Sequence, residues 1–292
     1  MADDIKSLLR RARNRVEQSK PLDSYPFISG DAYRLRCNLD LTKPGLEIQM
    51  EIKNLNLKDS ISIFVGGEKE ANVLLGFLSK HNYKTNWSLF FHNRDTPPNK
   101  GTAELLARHT KAIYAQGWLE NSGSIYPIPS GLENASKRRN GVPRDFLHSI
   151  NKRTRVRPIS VFASFKDANN LNQRKDLREV FSHIPDSYCP KKMLNPKQYR
   201  KILSLTKFVI SPPGNGPDCH RTWESIYLGA IPVVLRRTWP FIQDEIPVLV
   251  VETWAEAVDF ISTSSASFNS KINLSIQAQT LWDKYVTNYF SN

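Results

Sequence analysis

Short apolar runs alternate with amphipathic segments along most of the chain. In the first half, SISIFVGG (60–67) and NWSLFFHNRD (86–95) are typical of strands that end in a glycine or polar loop. Between them, residues 68–81 repeat apolar side chains every three or four positions, which predicts a helix. The order strand, helix, strand is typical of an α/β fold with a mostly parallel sheet.

The same alternation predicts elements in the rest of the chain. Further strands are predicted at LEIQMEI (46–52), AIYAQGW (112–118), RPISVFASF (157–165), FVISPPGNG (208–216) and AIPVVL (230–235). Helices are predicted over residues 3–18, 101–109, 172–184, 196–207, 218–229, 253–264 and 275–290. The segment YPFISGDAYR (25–34) is interpreted as an apolar run that ends in a Gly-Asp turn.

A turn-rich stretch at residues 122–143 separates two halves with the same order of elements. We therefore expect one domain over 1–122, a second over 123–270, and a closing helix over 271–292 that packs back towards the first. Two doubly wound sheets side by side would leave a cleft between their carboxyl edges, where such folds bind ligands. The predicted fold class is α/β with two Rossmann-like domains.

Composition excludes several classes of protein. With 292 residues, 40% of them hydrophobic, the chain is long and apolar enough to bury a core, which excludes disorder as its main state. It contains no apolar run of about 20 residues, and residues 1–20 lack the continuous apolar centre of a signal peptide. Three cysteines without a CxxC pair indicate neither a disulfide framework nor a zinc framework. We therefore expect a soluble cytoplasmic protein without a transmembrane segment.

The charge is the unusual bulk property. There are 41 Lys and Arg residues against 28 Asp and Glu residues, a net charge of +13, and such a surface attracts polyanions. Basic clusters at 10–15, 137–139 and 152–157 are equally consistent with solvated helix and loop faces. Because no RNA- or DNA-binding module is recognisable, we expect no nucleic-acid partner. A nucleic-acid or anionic-polymer binding protein remains the alternative function.

The segment 208–234 carries the most chemical information. A predicted strand runs into a loop with Gly214 and Gly216 and then into a helix that Asp218 is expected to cap. Free N–H groups at a helix start favour phosphate oxygens, and Arg221 in the first turn can form paired hydrogen bonds with them. Glu224, three residues later on the same face, can accept hydrogen bonds from a ribose diol. A plain Gly-Pro turn with an Arg–Glu pair is the alternative interpretation.

Several blocks of sequence resemble one enzyme family. The block SPPGNGPDCHRTWESIYLGAIPVVL (211–235) resembles the signature of exostosin-like glycosyltransferases, in the lineage of glycosyltransferase family 47. The segments FISGDAYR (27–34), LFFHNRD (89–95), AQGWLEN (115–121) and IPSGLEN (128–134) follow the order seen in bacterial and viral-type members. The resemblance covers most of the chain.

That resemblance implies a fold and an activity. The implied fold is GT-B, in which the C-terminal domain holds the donor nucleotide and the N-terminal domain holds most of the acceptor. The implied reaction moves a sugar from a UDP-sugar, with a slight preference for a pentose such as xylose, to a hydroxyl of a glycan or glycoprotein. Family members are metal-independent, and this sequence contains no Asp-x-Asp motif, so neither metal nor cofactor is expected. A free-standing bacterial or virus-encoded transferase is expected.

Site residues are predicted on the positions that match the family pattern. Tyr188 and Tyr199 are candidates to stack on the uracil. The predicted donor-binding residues are Ser164, Lys166, Arg174, Gly214, Asn215, Gly216, Asp218, Arg221, Thr222 and Glu224. The predicted acceptor-binding residues are Arg34, His92 and Asn93.

An inverting transferase needs a base that takes the proton of the acceptor hydroxyl. Asp31 and Asp95 are the catalytic candidates, because each follows an apolar run in the first half. Asp31 is slightly preferred, since Asp95 precedes Pro97 and Pro98 and has a ready capping role. A turn-forming role is the alternative for Asp31, and His92 is the next candidate base.

Overall fold

Two parallel five-stranded sheets form the frame of the protein. The computed structural model describes residues 21–43, 45–80, 82–137, 139–152, 156–241, 246–264 and 278–290. The first sheet contains β1 (Leu39–Asp40), β2 (Ser62–Val65), β3 (Ser88–Phe91), β4 (Ala112–Gln116) and β5 (Ile125–Ile128), side by side in chain order. β5 extends this sheet beyond residue 122, so the first structural unit runs past the expected boundary.

The helices α2 (Ile48–Lys53), α3 (Glu68–Lys80) and α4 (Lys100–Ala107) pack on one face of this sheet. The helix α1 (Gly30–Arg34) lies on the other face, where Tyr33 stacks on Phe90. Buried side chains of α2, α3 and α4 share one apolar cluster with alternate residues of the strands. A sheet whose strands follow one another in order, with right-handed connections, places its crossover helices on the same face. The first sheet is therefore singly wound, and the expectation of two doubly wound sheets is wrong for this half.

The second sheet reverses its direction of winding. It contains β6 (Ile159–Phe162), β7 (Ser187–Tyr188), β8 (Thr206–Ile210), β9 (Ile231–Leu235) and β10 (Leu249–Val251), in the spatial order β10-β9-β8-β6-β7. The chain passes from β6 to β7 at one edge and then returns to add β8 on the other side of β6. Such a reversal opens a crevice between the loops that follow the two central strands. The switch point of this sheet lies between β6 and β8.

Helices of the second half surround this sheet. They are α5 (Pro143–Asn151), α6 (Leu171–Arg174), α7 (Leu177–Ser182), α8 (Pro196–Ser204), α9 (His220–Tyr227) and α10 (Trp254–Ser264). The α8 helix begins with a capping box, in which the Asn195 side chain accepts from the Gln198 amide and Gln198 reaches back. The fully buried β9 reads IPVVL, the continuous apolar run expected of a central parallel strand.

The C-terminal segment covers the other face of the first sheet. It contains α11 (Ala278–Trp282), a π-helical turn (Asp283–Thr287) and α12 (Asn288–Phe290). The Phe290 ring stacks on Phe90 of β3, with a centroid distance of 4.5 Å, and Tyr289 lies 4.5 Å from Tyr114 of β4. Tyr285 also contacts Trp223 of α9. One apolar cluster therefore joins the first sheet, α9 and the C-terminal segment.

Three predicted elements differ in the structure. The segment 46–52, expected to be a strand, contains most of α2, because Ile48 and Ile52 are spaced for one helix face and Ile52 is fully buried. Residues 172–184 form two helices instead of one, since Asp176 adopts a left-handed conformation with φ 60°. The Gly-Asp turn expected near residue 30 is α1, whose Ser29 N-cap accepts from the Ala32 amide.

Some expectations concern residues outside the described ranges. These are the opening helix over 3–18, the first part of the closing segment and the basic cluster at 10–15. In the part of the chain that is described, no helix has the length and apolar character needed to cross a bilayer.

Candidate functional site

A cavity of about 440 Å³ lies at the switch point of the second sheet. Its walls come from residues 164–166, which follow β6, from residues 214–216, which follow β8, and from the start of α9. Asp95, which follows β3, and Gln116, the last residue of β4, also line the cavity. The predicted donor-binding residues that line the cavity are Ser164, Lys166, Arg174, Gly214, Asn215, Gly216, Asp218, Arg221 and Glu224. Thr222 does not line it.

Arg174 holds the Pro-Gly loop in place. Its guanidinium is buried and donates to three backbone carbonyls, those of Pro213 at 2.9 Å, Lys166 at 2.9 Å and Pro212 at 3.2 Å. Burial, followed by the nearby positive charge of Arg221, lowers the pKa of Arg174 to about 10, so it remains charged at neutral pH. Because most of its donors face the protein, Arg174 acts on this cavity mainly by shaping the loop.

Arg221 presents part of its guanidinium to the cavity. Nε donates to the carbonyl of Ser164 at 3.0 Å, and Nη1 lies 3.6 Å from Sγ of Cys219. The guanidinium carbon is 5.4 Å from the centroid of the Phe165 ring, and that of Arg174 is 5.5 Å from it. The Phe165 ring therefore attracts both guanidinium groups through cation–π interactions, which helps to hold the two arginine side chains in place. Nη2 of Arg221 has no hydrogen-bond partner within the described ranges.

Two buried hydroxyl groups at the cavity have no partner. Oγ of Ser164 and Oγ of Ser130 are both inaccessible to solvent and make no hydrogen bond with any described residue. Ser164 follows β6, whereas Ser130 follows β5, so the two hydroxyls belong to opposite walls. Buried hydroxyls normally have partners, so these two are exceptions among the described residues.

Asp218 does not cap α9, so that prediction is wrong. The N-cap is Cys219, which makes no side-chain cap hydrogen bond. Both carboxylate oxygens of Asp218 instead lie 2.9 Å from Nε1 of Trp223, and the Ser130 amide donates to Oδ2 at 2.7 Å. Burial raises the pKa of Asp218, although these hydrogen bonds oppose the shift. The first N–H groups of α9 are therefore left without a side-chain cap at the cavity.

Glu224 and Thr222 differ in their access to the cavity. Glu224 is mostly buried at the cavity wall, where burial raises its pKa. The hydroxyl of Thr222 lies 2.8 Å from Oγ of Ser211, beneath the loop. Glu224 is therefore placed to contact a ligand, whereas Thr222 supports the loop.

Asp95 reaches the cavity from the first sheet. Its Oδ2 accepts from Nδ2 of Asn215 at 3.0 Å, across the cleft. A Cβ at Gly216 would lie 2.6 Å from the carbonyl oxygen of Asp95, so this approach requires glycine. The two loops thus meet beside the donor-binding residues.

Asp31 lies away from this cavity. It is fully buried in α1, where its Oδ2 accepts from the Leu22 amide at 3.2 Å. Burial is the main cause that raises its pKa. The neighbouring Arg34 forms a mostly buried ion pair with Asp40 at 2.6 Å. Within the described structure, an acceptor hydroxyl has no access to the Asp31 carboxylate.

His92 and Asn93 lie near a second cavity of about 480 Å³ at the edge of the first sheet, which His92 lines. Nδ1 of His92 accepts from the Asn93 amide at 2.7 Å, and Nε2 lies 3.0 Å from the Pro129 carbonyl, to which it must donate. Asn93 has φ 68°, and its Oδ1 accepts from Asn134 at 2.8 Å. Both ring nitrogens of His92 are therefore occupied, which leaves no free lone pair for a base.

His92 makes a testable contribution to acid stability. Burial lowers its pKa from 6.5 to about 4, so between these values the unfolded chain binds a proton that the folded chain does not. The stabilising contribution is present above pH 6.5 and is lost as the pH falls towards 4. From pH 7 to pH 5, we expect the protein to lose about 2 kcal/mol more unfolding free energy than His92→Gln. Urea unfolding at both pH values measures this, and equal losses would contradict it.

The structure adds residues that the sequence interpretation missed. His220 lines the cavity, and its Nδ1 lies 2.8 Å from the Gly131 carbonyl, so Nδ1 carries the hydrogen and Nε2 is the acceptor in the neutral ring. Glu133, whose Oε2 accepts from the Asn140 amide, also lines it, as do Gln116 and Phe165. Glu133 and Gln116 lie in segments quoted for the resemblance, and His220 precedes Arg221, so proximity to these motifs was the available signal.

Known proteins give no further guide to this site. The chain matches no protein-family model and no curated protein. Among the described residues, no three His, Cys, Asp or Glu side chains are grouped as ligands of a metal ion would be. The site is therefore interpreted from its own geometry.

Proposed function

We propose that this protein is an inverting glycosyltransferase that binds a UDP-sugar in the switch-point cavity. The acceptor, a hydroxyl of a glycan or glycoprotein, would approach from the first sheet. The observation that carries the proposal is the position of Arg221, which lies at the uncapped start of α9 and keeps Nη2 free beside the cavity. A diphosphate matches this combination of guanidinium and backbone N–H donors.

The remaining walls fit the other parts of a nucleotide sugar. Glu224, at the cavity wall, can accept hydrogen bonds from the ribose hydroxyls. The exposed Lys166 adds a donor on the Arg221 side. Positive charge from Arg221 and Lys166 would stabilise the departing diphosphate, so the proposed reaction requires no divalent metal.

The cavity's charges favour a nucleotide sugar over a nucleic-acid backbone. Four carboxylate residues line the cavity together with its cations: Asp95, Glu133, Asp218 and Glu224. A polyanion threaded through this cleft would approach several carboxylates, whereas a single diphosphate can bind at Arg221 alone. The alternative function therefore receives no support from this site.

Asp95 is the proposed general base. It is the candidate aspartate that lines the cavity, and Asn215 holds one of its oxygens. The other oxygen can accept a proton from an acceptor hydroxyl that enters from the first sheet. In a single displacement, the deprotonated hydroxyl oxygen bonds to the anomeric carbon as the bond to the diphosphate breaks.

The first test of this function is UDP binding. UDP is expected to raise the melting temperature in the presence of EDTA, and Arg221→Ala is expected to weaken UDP binding about tenfold or more. The loss follows because a hydrogen-bonded guanidinium is removed from the phosphate group. Calorimetric titration with UDP measures the affinity.

Arg108→Ala is the matched control for this test. Arg108 is exposed at the end of α4 and lines none of the cavities described, so its replacement should leave UDP affinity unchanged. Equal affinity of Arg221→Ala and the wild-type protein would contradict the site assignment. Hydrolysis assays over UDP- and GDP-sugars, including UDP-xylose, identify the donor, and turnover of GDP-sugars alone would contradict the choice of nucleotide.

A further inference from the structure

Two cavities meet at the carboxyl edge of the first sheet. The cavity of about 480 Å³ described above adjoins another of about 460 Å³, and both are lined by Gly66, Lys69 and Arg94. Gln116 lines both the first of these and the switch-point cavity. A ligand that fills this edge can therefore extend towards the proposed donor site.

The Arg94 guanidinium lies between the two cavities in a position that the backbone defines. Its Nε donates to the carbonyl of Gly66. A Cβ at Gly67 would lie 2.6 Å from Nη2 and 2.8 Å from the guanidinium carbon, so the planar group packs closely against the backbone at Gly67. Neither Nη atom makes a hydrogen bond or an ion pair with the described residues. The arginine therefore presents paired N–H donors to the cavities.

Two lysines near Arg94 have no acidic partner among the described residues. Lys43 and Lys69 line the cavities, are exposed, and form no ion pair with any described residue. Glu68 lines the 480 Å³ cavity and offsets one positive charge, and its oxygens also accept from Thr102 Oγ1 at 2.5 Å and from the Asn99 amide at 3.2 Å.

The remaining charged residues of the 460 Å³ cavity partly offset each other. Arg34 is neutralised by Asp40. Glu70 also lines this cavity and subtracts one charge. The edge therefore retains a net positive charge that an anionic ligand can balance.

We propose that this edge binds an anionic group of the acceptor, a carboxylate or a phosphate on the sugar, through Arg94 with Lys69 and Lys43. This inference rests on the proposed function. Arg94 and Asp95 are neighbours in the chain, so their Cα atoms lie about 3.8 Å apart. One loop thus places a cation at the edge of the first sheet and the proposed base in the donor cavity. The anionic group would fix the acceptor so that its reacting hydroxyl faces Asp95.

The test compares acidic and neutral sugars as ligands of the full chain. Glucuronic acid, glucose 6-phosphate and methyl glucoside are titrated at low salt and followed by protein-observed NMR. We expect the acidic sugars to bind, more weakly as salt is added, and the neutral sugar to bind at least tenfold more weakly. Arg94→Gln should lower the affinity for the acidic sugars about tenfold, and Lys69→Gln should lower it less. Arg108→Gln should leave it unchanged.

The outcomes separate this inference from the proposed function. Equal binding of neutral and acidic sugars, or unchanged affinity in Arg94→Gln, would overturn the inference. A preference for glucuronic acid identifies a carboxylate, and a preference for glucose 6-phosphate identifies a phosphate. UDP affinity, measured in the same variants, should not change. UDP binding without acidic-sugar binding would refute the anionic site alone, whereas acidic-sugar binding without UDP binding would refute the donor assignment alone.

Discussion

Replacing Asp95 with asparagine is expected to lower turnover by about 10² to 10⁴-fold, the usual contribution of a positioned general base. Asparagine keeps the shape of the side chain and can still accept the hydrogen bond from Asn215. It removes only the basicity. UDP affinity should hardly change, because the proposed phosphate ligands lie on the second sheet's loops. Turnover at saturating donor and acceptor, together with UDP titration, measures both effects.

Asp31→Asn is the matched comparison. Asp31 is fully buried outside the switch-point cavity, so its replacement should leave turnover of the folded protein near normal. The opposite pattern, a large loss in Asp31→Asn and none in Asp95→Asn, would assign the base to Asp31. Near-normal turnover in both variants would contradict both assignments, and Glu133 and His220 would then be the cavity residues to replace next.

Replacing Arg174 with methionine is expected to destabilise the fold and weaken UDP binding together. Three backbone carbonyls, two of them in buried hydrogen bonds, lose their charged donor, which costs about 3 kcal/mol at about 1 kcal/mol for each lost bond. The loop 212–216 would then lose its support, and its donors would no longer face the ligand. Urea unfolding and UDP titration measure the two losses.

Two comparisons test this structural role of Arg174. Lysine should not restore either property, because one ammonium group cannot reproduce the planar arrangement of guanidinium donors. Arg221→Ala should reduce UDP affinity with a smaller loss of stability, since one backbone hydrogen bond is removed. Weaker UDP binding with unchanged unfolding free energy in Arg174→Met would mean that Arg174 contacts the phosphate directly.

The periodicity of hydrophobic residues predicted the helices and strands with a clear repeat. It failed where the repeat fitted a helix and a strand equally well. The strand 60–67 and the helix 68–81 were predictable because alternation and helical periodicity reflect burial on one face. The helix in segment 46–52 was not predictable, because seven residues of mixed polarity fit both the helical and the strand period. The two-residue strands β1 and β7 offer too few positions for any periodicity.

The sequence also predicted which loops line the cavity. Residues 164–166 and 214–216, Arg221 and Glu224 are close in sequence to strand ends or to a helix start, and local geometry alone directs them to the carboxyl edge of a parallel sheet. It could not show that Arg174 supports the loop 212–216, because that depends on the carbonyls of Pro213 and Pro212, which lie 39 and 38 residues later in the chain. The same limit applies to Asp218, whose partner Ser130 is 88 residues away in the chain.

The sequence by itself therefore determined the α/β class, most strands and helices, and the loops that line the cavity, because each depends on contacts between neighbouring residues. Only the tertiary structure decided the order of strands in each sheet, and with it the position of the switch point between β6 and β8. It also showed which of the two candidate aspartates lines the cavity. Asp31 and Asp95 each follow an apolar run, but burial removes one from the cavity and the approach of Gly216 brings the other into it. The strand order and the positions of the two aspartates depend on packing between segments far apart in the chain. The local sequence pattern does not contain that information.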